Sequence, residues 1–248
     1  MALPPVGLQT IVFGKQYSIE DEAVLDHVAK AGYAALETTP QDPVRFKAML
    51  DERGMRHAGL HTSPGSLRDV KEIVEKLRIL DSRDVSNSGM LDWNKRTLDD
   101  FRETIAILNA AGRALRAEGI RLHYHNHDFE FLEKPDGKRS GMDLLLAELD
   151  PAAVDLCVDV AWVLKGGLDP VEFLRAHRDR IGYLHFKDFD DEGWTELGRG
   201  KVDFPAIMGY LPEMPDVRWV MIEQDNSRID PLESLAVSRT YLKETFGY

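Results

Sequence analysis

Three side chains that can bind a metal ion are spaced through the second half of the 248-residue chain. Asp159, His185 and Glu223 each stand near the end of a short apolar run. One imidazole and two carboxylates form a ligand set that suits Mn²⁺, Zn²⁺, Co²⁺ or Mg²⁺. Because an isolated buried carboxylate is costly to desolvate, converging carboxylates need a cation or a shared proton. The pattern predicts a divalent-metal site; a buried hydrogen-bonded network without metal is the alternative.

Short apolar runs of this kind occur eight times and alternate with longer amphipathic stretches. We predict strands over residues 7–13, 34–38, 57–62, 84–88, 120–127, 154–160, 181–186 and 217–223. Strand–helix alternation is typical of parallel strands joined by crossover helices. Eight units in about 250 residues favour a closed barrel over an open sheet. The predicted fold is α/β, a single (β/α)8 TIM barrel domain over residues 1–248.

The amphipathic stretches between these runs predict the outer helices. They cover residues 19–31, 43–53, 66–80, 97–118, 142–149, 170–177, 204–211 and 231–246. Ser18 is the predicted N-cap of the first helix, and Gly32 ends it. Neither a Gly-x-Gly-x-x-Gly after the first strand nor a P-loop occurs, so a nucleotide-binding fold would lack its phosphate loop.

Side chains alternate between the two faces of a strand, which separates polar from apolar residues in the last four predicted strands. The apolar sets suit packing under the helices, so the other sets face the barrel interior. The inward sets are His123, His125 and His127; Asp155, Cys157 and Asp159; Tyr183, His185 and Lys187; and Trp219, Met221 and Glu223. Their ionisable members lie towards the carboxyl ends of the strands, where barrel enzymes assemble their active sites.

Four segments on these strands resemble the xylose isomerase-like superfamily of sugar phosphate isomerases and epimerases. They are residues 124–131 (YHNHDFEF), 158–162 (VDVAW), 185–188 (HFKD) and 222–225 (IEQD), and the loop 197–204 (LGRGKVDF) is also similar. The resemblance implies four metal ligands, Glu130, Asp159, His185 and Glu223. His127 and His125 are the alternatives to Glu130 on strand five. The implied cofactor is one divalent ion, Mn²⁺ first, with Zn²⁺, Co²⁺ or Mg²⁺ as alternatives.

The resemblance also implies proton abstraction next to the carbonyl of a sugar, keto sugar or cyclitol. Glu223 would act as the base, His125 or His127 as a second acid or base, and Lys187 would hold a substrate oxygen. An isomerase or epimerase is the first hypothesis. A dehydratase is the second, because residues 124–127 (YHNH) also resemble the Tyr-His-His-His of inosose dehydratases.

Further polar and aromatic residues fall where substrate contacts are common in barrels. The predicted substrate-binding residues are Glu37 and His61 at the ends of strands two and three, the tryptophans Trp93 and Trp162, Asp188 as an orienting group, and Arg199. For each, an ordinary rim, core or surface residue is the alternative. A non-catalytic barrel that binds a sugar, or a subunit that supports a partner, is the non-enzyme hypothesis.

Composition restricts the partners. The formal net charge of −12 argues against binding to nucleic acid or to an anionic membrane, since both need basic surface. Endonuclease IV shares the barrel but needs a richer metal cluster and a basic surface. The single Cys157 rules out an internal disulfide and fits a reducing compartment. With no secretory leader or spanning apolar segment in the sequence, we expect a soluble cytoplasmic protein. A homo-oligomer is compatible with this composition.

Overall fold

The computed structural model describes residues 3–248, and eight parallel strands form its closed barrel. These strands are β1 (Val6–Gln9), β2 (Ala35–Glu37), β3 (Arg56–Thr62), β4 (Asp84–Ser88), β5 (Arg121–His125), β6 (Val154–Asp159), β7 (Ile181–Phe186) and β10 (Trp219–Ile222). Around the barrel the order is β1-β10-β7-β6-β5-β4-β3-β2. Strands β8 (Asp188–Asp190) and β9 (Gly193–Thr195) pair as an antiparallel hairpin after β7. The predicted (β/α)8 fold is confirmed.

Ten α-helices connect or follow the strands in the described residues. They are α1 (Glu22–Ala31), α2 (Pro43–Glu52), α3 (Val70–Leu80), α4 (Leu98–Ala117), α5 (Phe129–Leu132), α6 (Gly141–Glu148), α7 (Val160–Lys165), α8 (Pro170–His177), α9 (Phe204–Tyr210) and α10 (Pro231–Phe246). Thr97 and Asp100 form a capping box at the start of α4. Within residues 3–248, none of these helices has the length and apolar character that a membrane span requires.

The predicted element ends move where a side chain takes over backbone hydrogen bonding. The first predicted strand stops at Gln9, whose side chain caps a 3-10 helix over Thr10–Phe13. The N-cap of α1 is Asp21, and not Ser18 as predicted, because Asp21 accepts the backbone N–H of Ala23. Gly32 ends this helix in the left-handed conformation, as predicted.

Two apolar cores lie on either side of the sheet. The inner core consists of Ala35, Ala58, Cys157, Tyr183, Trp219 and Met221. The larger outer core packs between strands and helices and contains Leu122, Tyr124, Val158 and Leu184. This separation follows the predicted two-residue alternation. At Gly7 a Cβ atom would lie 2.4 Å from Met221 Cε, so a larger residue there would force the buried Met221 side chain to move.

Ion pairs close the opposite, amino-terminal end of the barrel. His123 Nε2 lies 2.9 Å from Asp84 Oδ1, and Arg218 lies 3.2 Å from the other oxygen of Asp84. Asp155 pairs with Arg116 and Arg121, each at 2.8 Å. Because these charges are compensated in pairs, the contacts at this end of the barrel are structural.

The surroundings of His57 indicate how the folding stability depends on pH. Its Nε2 donates to the Thr38 carbonyl at 2.9 Å and its Nδ1 accepts the Ser82 hydroxyl at 2.9 Å. Burial lowers the pKa of His57 to about 4. The unfolded chain therefore takes up this proton first as the pH falls through about 6.5, and folding stability is lost below that pH.

The free energy of unfolding of the wild type should fall between pH 7 and pH 5. In His57→Gln we expect this fall to be smaller by about 2 kcal/mol, because the variant has no imidazole to protonate. Urea unfolding at the two pH values measures this difference. The same loss in both proteins would contradict the assignment.

Candidate metal centre

Four side chains meet at the carboxyl end of the barrel: His125 from β5, Asp159 from β6, His185 from β7 and Glu223 just after β10. Each offers an atom that could bind a metal ion, and these atoms all lie within 4.8 Å of one another. Strand register brings them together, because Asp159 pairs with His185, and His185 pairs with Met221, two residues before Glu223. All four are buried, with at most 4% of any residue exposed.

Several atoms of this group have no hydrogen-bond partner in the described part of the chain. They are both ring nitrogens of His125 and Oδ2 of Asp159. Asp159 Oδ1 caps α7 by accepting the N–H groups of Ala161 and Trp162, which holds the carboxylate in place. His125 Nε2 lies 3.7 Å from Asp159 Oδ2, and His185 Nδ1 contacts Glu223 Oε2. Since buried polar atoms need partners, this donor set fits a divalent cation.

Burial and neighbouring charges shift the pKa values of these side chains in opposite directions. Burial raises the pKa of Asp159 to about 7, although the charge of Lys187 opposes this shift. Burial alone would raise the pKa of Glu223, but Lys187 and His185 outweigh it and hold the pKa well below the ordinary value. Burial keeps the pKa of His125 well below its usual range, so its ring is neutral and has a lone pair available for a metal.

Lys187 lies against this group and is fully buried. Its Nζ donates to Glu223 Oε1 at 2.9 Å and to Asp225 Oδ1 at 2.7 Å, and lies 3.7 Å from Asp159 Oδ2. Burial alone would lower the pKa of Lys187, but the three carboxylates outweigh it and raise the pKa. A protonated ammonium therefore stands beside the candidate ligands.

Aromatic rings surround this ammonium. Its Nζ lies 5.0 Å from the ring centre of Trp162 and 4.5 Å from that of Trp194. Trp194 and Asp225 are absent from the predicted site residues. Asp225 is the last residue of the matching segment 222–225, which was a usable signal. Trp194 belongs to the β8–β9 hairpin, whose position no strand-spacing rule provides.

Glu130, the favoured ligand on strand five, lies outside the group. It is in α5, where Oε1 accepts the Tyr124 hydroxyl and Oε2 accepts the His127 N–H, both at 2.8 Å. Tyr124 belongs to the outer core, and burial raises the pKa of Glu130 to about 8. Glu130 lies away from the group because β5 ends at His125 and the chain then turns into a helix. His125, one of the two alternatives, is the strand-five side chain that lies in the group.

His127 forms an aromatic layer outside the four side chains. Its ring stacks on His125 with centres 5.0 Å apart and an interplanar angle of 10°. Trp93 contacts the His127 ring edge-on at 5.0 Å, and Trp162 lies at 5.4 Å. Trp93 is 47% exposed, so it offers an aromatic surface to a ligand arriving from solvent.

Glu37 and His61 connect to the group through hydrogen bonds. Glu37 Oε2 accepts from His185 Nε2 at 2.9 Å, and Oε1 lies 2.6 Å from His61 Nδ1. His61 Nε2 reaches the Ser88 hydroxyl at 3.1 Å. Burial alone would raise the pKa of Glu37, but His185 and His61 outweigh it and lower the pKa to about 2. Glu37, predicted to contact substrate, is therefore a fully buried anion behind His185.

Asp188 anchors a surface loop, and Arg199 lies in that loop. The Asp188 carboxylate accepts four backbone N–H groups at 2.9–3.1 Å, from Phe189, Gly198, Gly200 and Val202. The predicted orienting role of Asp188 is thus replaced by anchoring of this loop. Arg199 pairs with Glu196 at 2.9 Å, and its side chain is 55% exposed.

A crevice of about 780 Å³ opens next to His61, whose ring centre lies 5.9 Å from that of His125. His61 and Ser88 form its inner wall, and Trp93 borders it. Further hydroxyl groups line it from Thr39, Thr62, Ser63 and Ser66. A largely formed pocket with a few converging polar groups is typical of small-molecule sites, and this one can accommodate a sugar ring.

Several known proteins are similar to this chain in sequence or in fold. An inosose dehydratase of Lacticaseibacillus casei is 26% identical over 279 residues, covering 94% of this chain and 92% of its own. A sugar phosphate isomerase/epimerase from Parabacteroides distasonis superposes with a TM-score of 0.80 at 26% identity, covering 98% of this chain and 94% of its own. The IOLI protein with a bound zinc atom has a TM-score of 0.75 at 13% identity, covering 97% of each chain, which shows the shared fold.

The family described as the xylose isomerase-like TIM barrel matches residues 25–245. This match extends well beyond the four segments on the last strands and includes most of the barrel. The chain therefore belongs to the xylose isomerase-like TIM barrel family.

Proposed function

We propose that the protein is a divalent-metal-dependent isomerase or epimerase that removes a proton next to the carbonyl of a sugar, keto sugar or cyclitol. The observation that supports this proposal most strongly is the buried group of two imidazoles and two carboxylates, in which atoms of His125 and Asp159 have no hydrogen-bond partner. It lies at the carboxyl end of the barrel, where enzymes of this fold place their chemistry. The relatives named as an inosose dehydratase and a sugar phosphate isomerase/epimerase support sugar or cyclitol chemistry.

His125, Asp159, His185 and Glu223 would hold the metal ion. When bound, the ion would polarise a carbonyl oxygen and stabilise negative charge beside it. Two imidazoles favour Mn²⁺, Zn²⁺ or Co²⁺ over Mg²⁺, and Mn²⁺ remains the first expectation. The zinc in the IOLI protein supports a divalent ion in a barrel of this shape.

The chain's own groups would move the proton and balance its charge. The Glu223 carboxylate would remove the proton and return it as the conjugate acid. The Lys187 ammonium, 2.9 Å from Glu223 Oε1, would donate to a substrate oxygen as negative charge develops there. His127, stacked on His125, would provide a second acid or base on the outer side.

The crevice would admit the substrate. Its hydroxyl-bearing wall suits a polyhydroxylated ligand, and His61 joins the crevice to Glu37 and thus to the buried group. Trp93 would cover the apolar face of a sugar ring.

Dehydration is the second candidate, and Lys187 is the observation that favours it. Loss of water from an enediolate requires an acid to protonate the leaving hydroxyl. Lys187 places a buried ammonium 2.9 Å from the proposed base. The inosose dehydratase that covers 94% of this chain supports the same reaction.

Deuterium exchange tests the shared first step. With Mn²⁺ in D₂O, the enzyme should incorporate deuterium at the carbon next to the carbonyl of a keto sugar or an inosose, as measured by NMR. An isomerase or epimerase returns a product of unchanged formula, whereas a dehydratase returns one lighter by a water. Absence of exchange across a broad panel would favour the sugar-binding or supporting-subunit hypothesis.

Glu223→Gln should lower turnover by about 10²-fold or more, because a carboxamide cannot accept the proton. Circular dichroism and urea unfolding of the metal-free protein should match the wild type. Activity within the experimental error of the wild type would remove Glu223 from the mechanism.

Metal content distinguishes His125 from Glu130 as the strand-five ligand. Wild type and Glu130→Gln should each bind about one equivalent of Mn²⁺ or Zn²⁺, whereas His125→Ala should bind it at least about 10-fold more weakly. Elemental analysis after dialysis against a weak chelator measures this. Loss of metal from Glu130→Gln with retention in His125→Ala would reverse the assignment.

A further inference from the structure

We infer that Glu37 is a positioning residue for the metal ligand His185, and that it raises metal affinity by holding the His185 ring in the form that can bind. The inference rests on the proposed metal site, and it assigns Glu37 a role other than the predicted contact with substrate.

The backbone of β2 directs this side chain into the barrel. Glu37 is the last residue of β2, and the pairing of β2 with β3 shifts register between Leu36 and Glu37. Irregularities of this kind re-aim a side chain at a strand end. The side chain crosses the interior to His185 on β7, a strand separated from β2 by β1 and β10. Glu37 has no solvent exposure and is absent from the lining of the crevice.

The hydrogen bond to Glu37 decides which ring nitrogen of His185 keeps its hydrogen when a metal ion binds. A carboxylate can only accept, so His185 Nε2 carries the hydrogen that it donates to Glu37 Oε2 at 2.9 Å. The other ring nitrogen, Nδ1, contacts the Glu223 carboxylate and by the same argument carries a hydrogen in the metal-free protein. A metal ion would replace that hydrogen, while the bond to Glu37 would keep the hydrogen of Nε2 in place. Nδ1 faces Glu223, on the side where His125 and Asp159 converge.

The two oxygens of Glu37 serve different partners. Oε2 accepts a hydrogen bond from His185, whereas Oε1 lies 2.6 Å from His61 Nδ1. His61 is the partner that reaches the crevice, and its side chain is 23% exposed. Removal of His61 deletes the crevice side of this network and leaves the hydrogen bond between Glu37 and His185, which provides a matched control.

Co²⁺ binding tests the assignment, because the ion reports its coordination through its visible absorption spectrum. The dissociation constant is measured by chelator competition for the wild type, Glu37→Ala, Glu37→Gln and His61→Asn. Loss of an outer carboxylate partner typically weakens metal binding about 10–100-fold, which is the expectation for Glu37→Ala. Glu37→Gln should recover part of the affinity, because its amide oxygen can still accept from Nε2. His61→Asn should bind Co²⁺ as the wild type does.

Circular dichroism and urea unfolding of the metal-free proteins check the fold, and if Glu37→Ala does not fold, the near-isosteric Glu37→Gln carries the test. Wild-type affinity in a folded Glu37 variant would overturn the inference. Equal weakening by His61→Asn, or a wild type that binds no Co²⁺, would also overturn it. Co²⁺ affinity is measured without turnover, so the two proposals can fail separately. If the protein does not act on keto sugars but its Co²⁺ binding depends on Glu37, the proposed function is refuted and this inference stands.

Discussion

Asp159 and Glu223 are carried into the barrel interior, where their carboxylates keep almost no contact with water. Such burial is unfavourable unless hydrogen bonds and opposite charges compensate it. Helix α7 stabilises one oxygen of Asp159, and Lys187 contacts both residues and Asp225. Within residues 3–248, Lys187 is the one lysine or arginine that pairs with any of these three carboxylates. The remaining negative charge and the neutral His125 ring explain why a divalent cation suits this position.

The buried carboxylates at the two ends of the barrel are compensated in different ways. At the amino-terminal end, Asp84 and Asp155 are paired with arginines and with His123, so their charges are satisfied by the chain itself. The inner apolar core of Cys157, Tyr183 and Met221 separates this end from the candidate site. At the carboxyl end, atoms of His125 and Asp159 have no partner in the described chain. This contrast in ion pairing favours the carboxyl end as the position of the proposed metal site.

Sequence periodicity was sufficient for residues that lie on regular strands. The two-residue alternation predicts that Asp159, His185 and Glu223 share the interior face, and the strand register brings them together. It does not apply at Glu130, which was assigned from the family resemblance, because the strand ends at His125 and Glu130 lies in a helix. Glu37 shows a second limit. Its position at a strand end was evident, but its contact with His185 spans three strand pairings and depends on a local register shift.

Anomalous diffraction from crystals grown with Zn²⁺ would test the metal centre most directly. Data collected on both sides of the zinc absorption edge should show one strong peak bounded by a nitrogen of His125, Nδ1 of His185, and oxygens of Asp159 and Glu223. A peak beside Glu130, or none within this group at full Zn²⁺ occupancy in solution, would contradict the account.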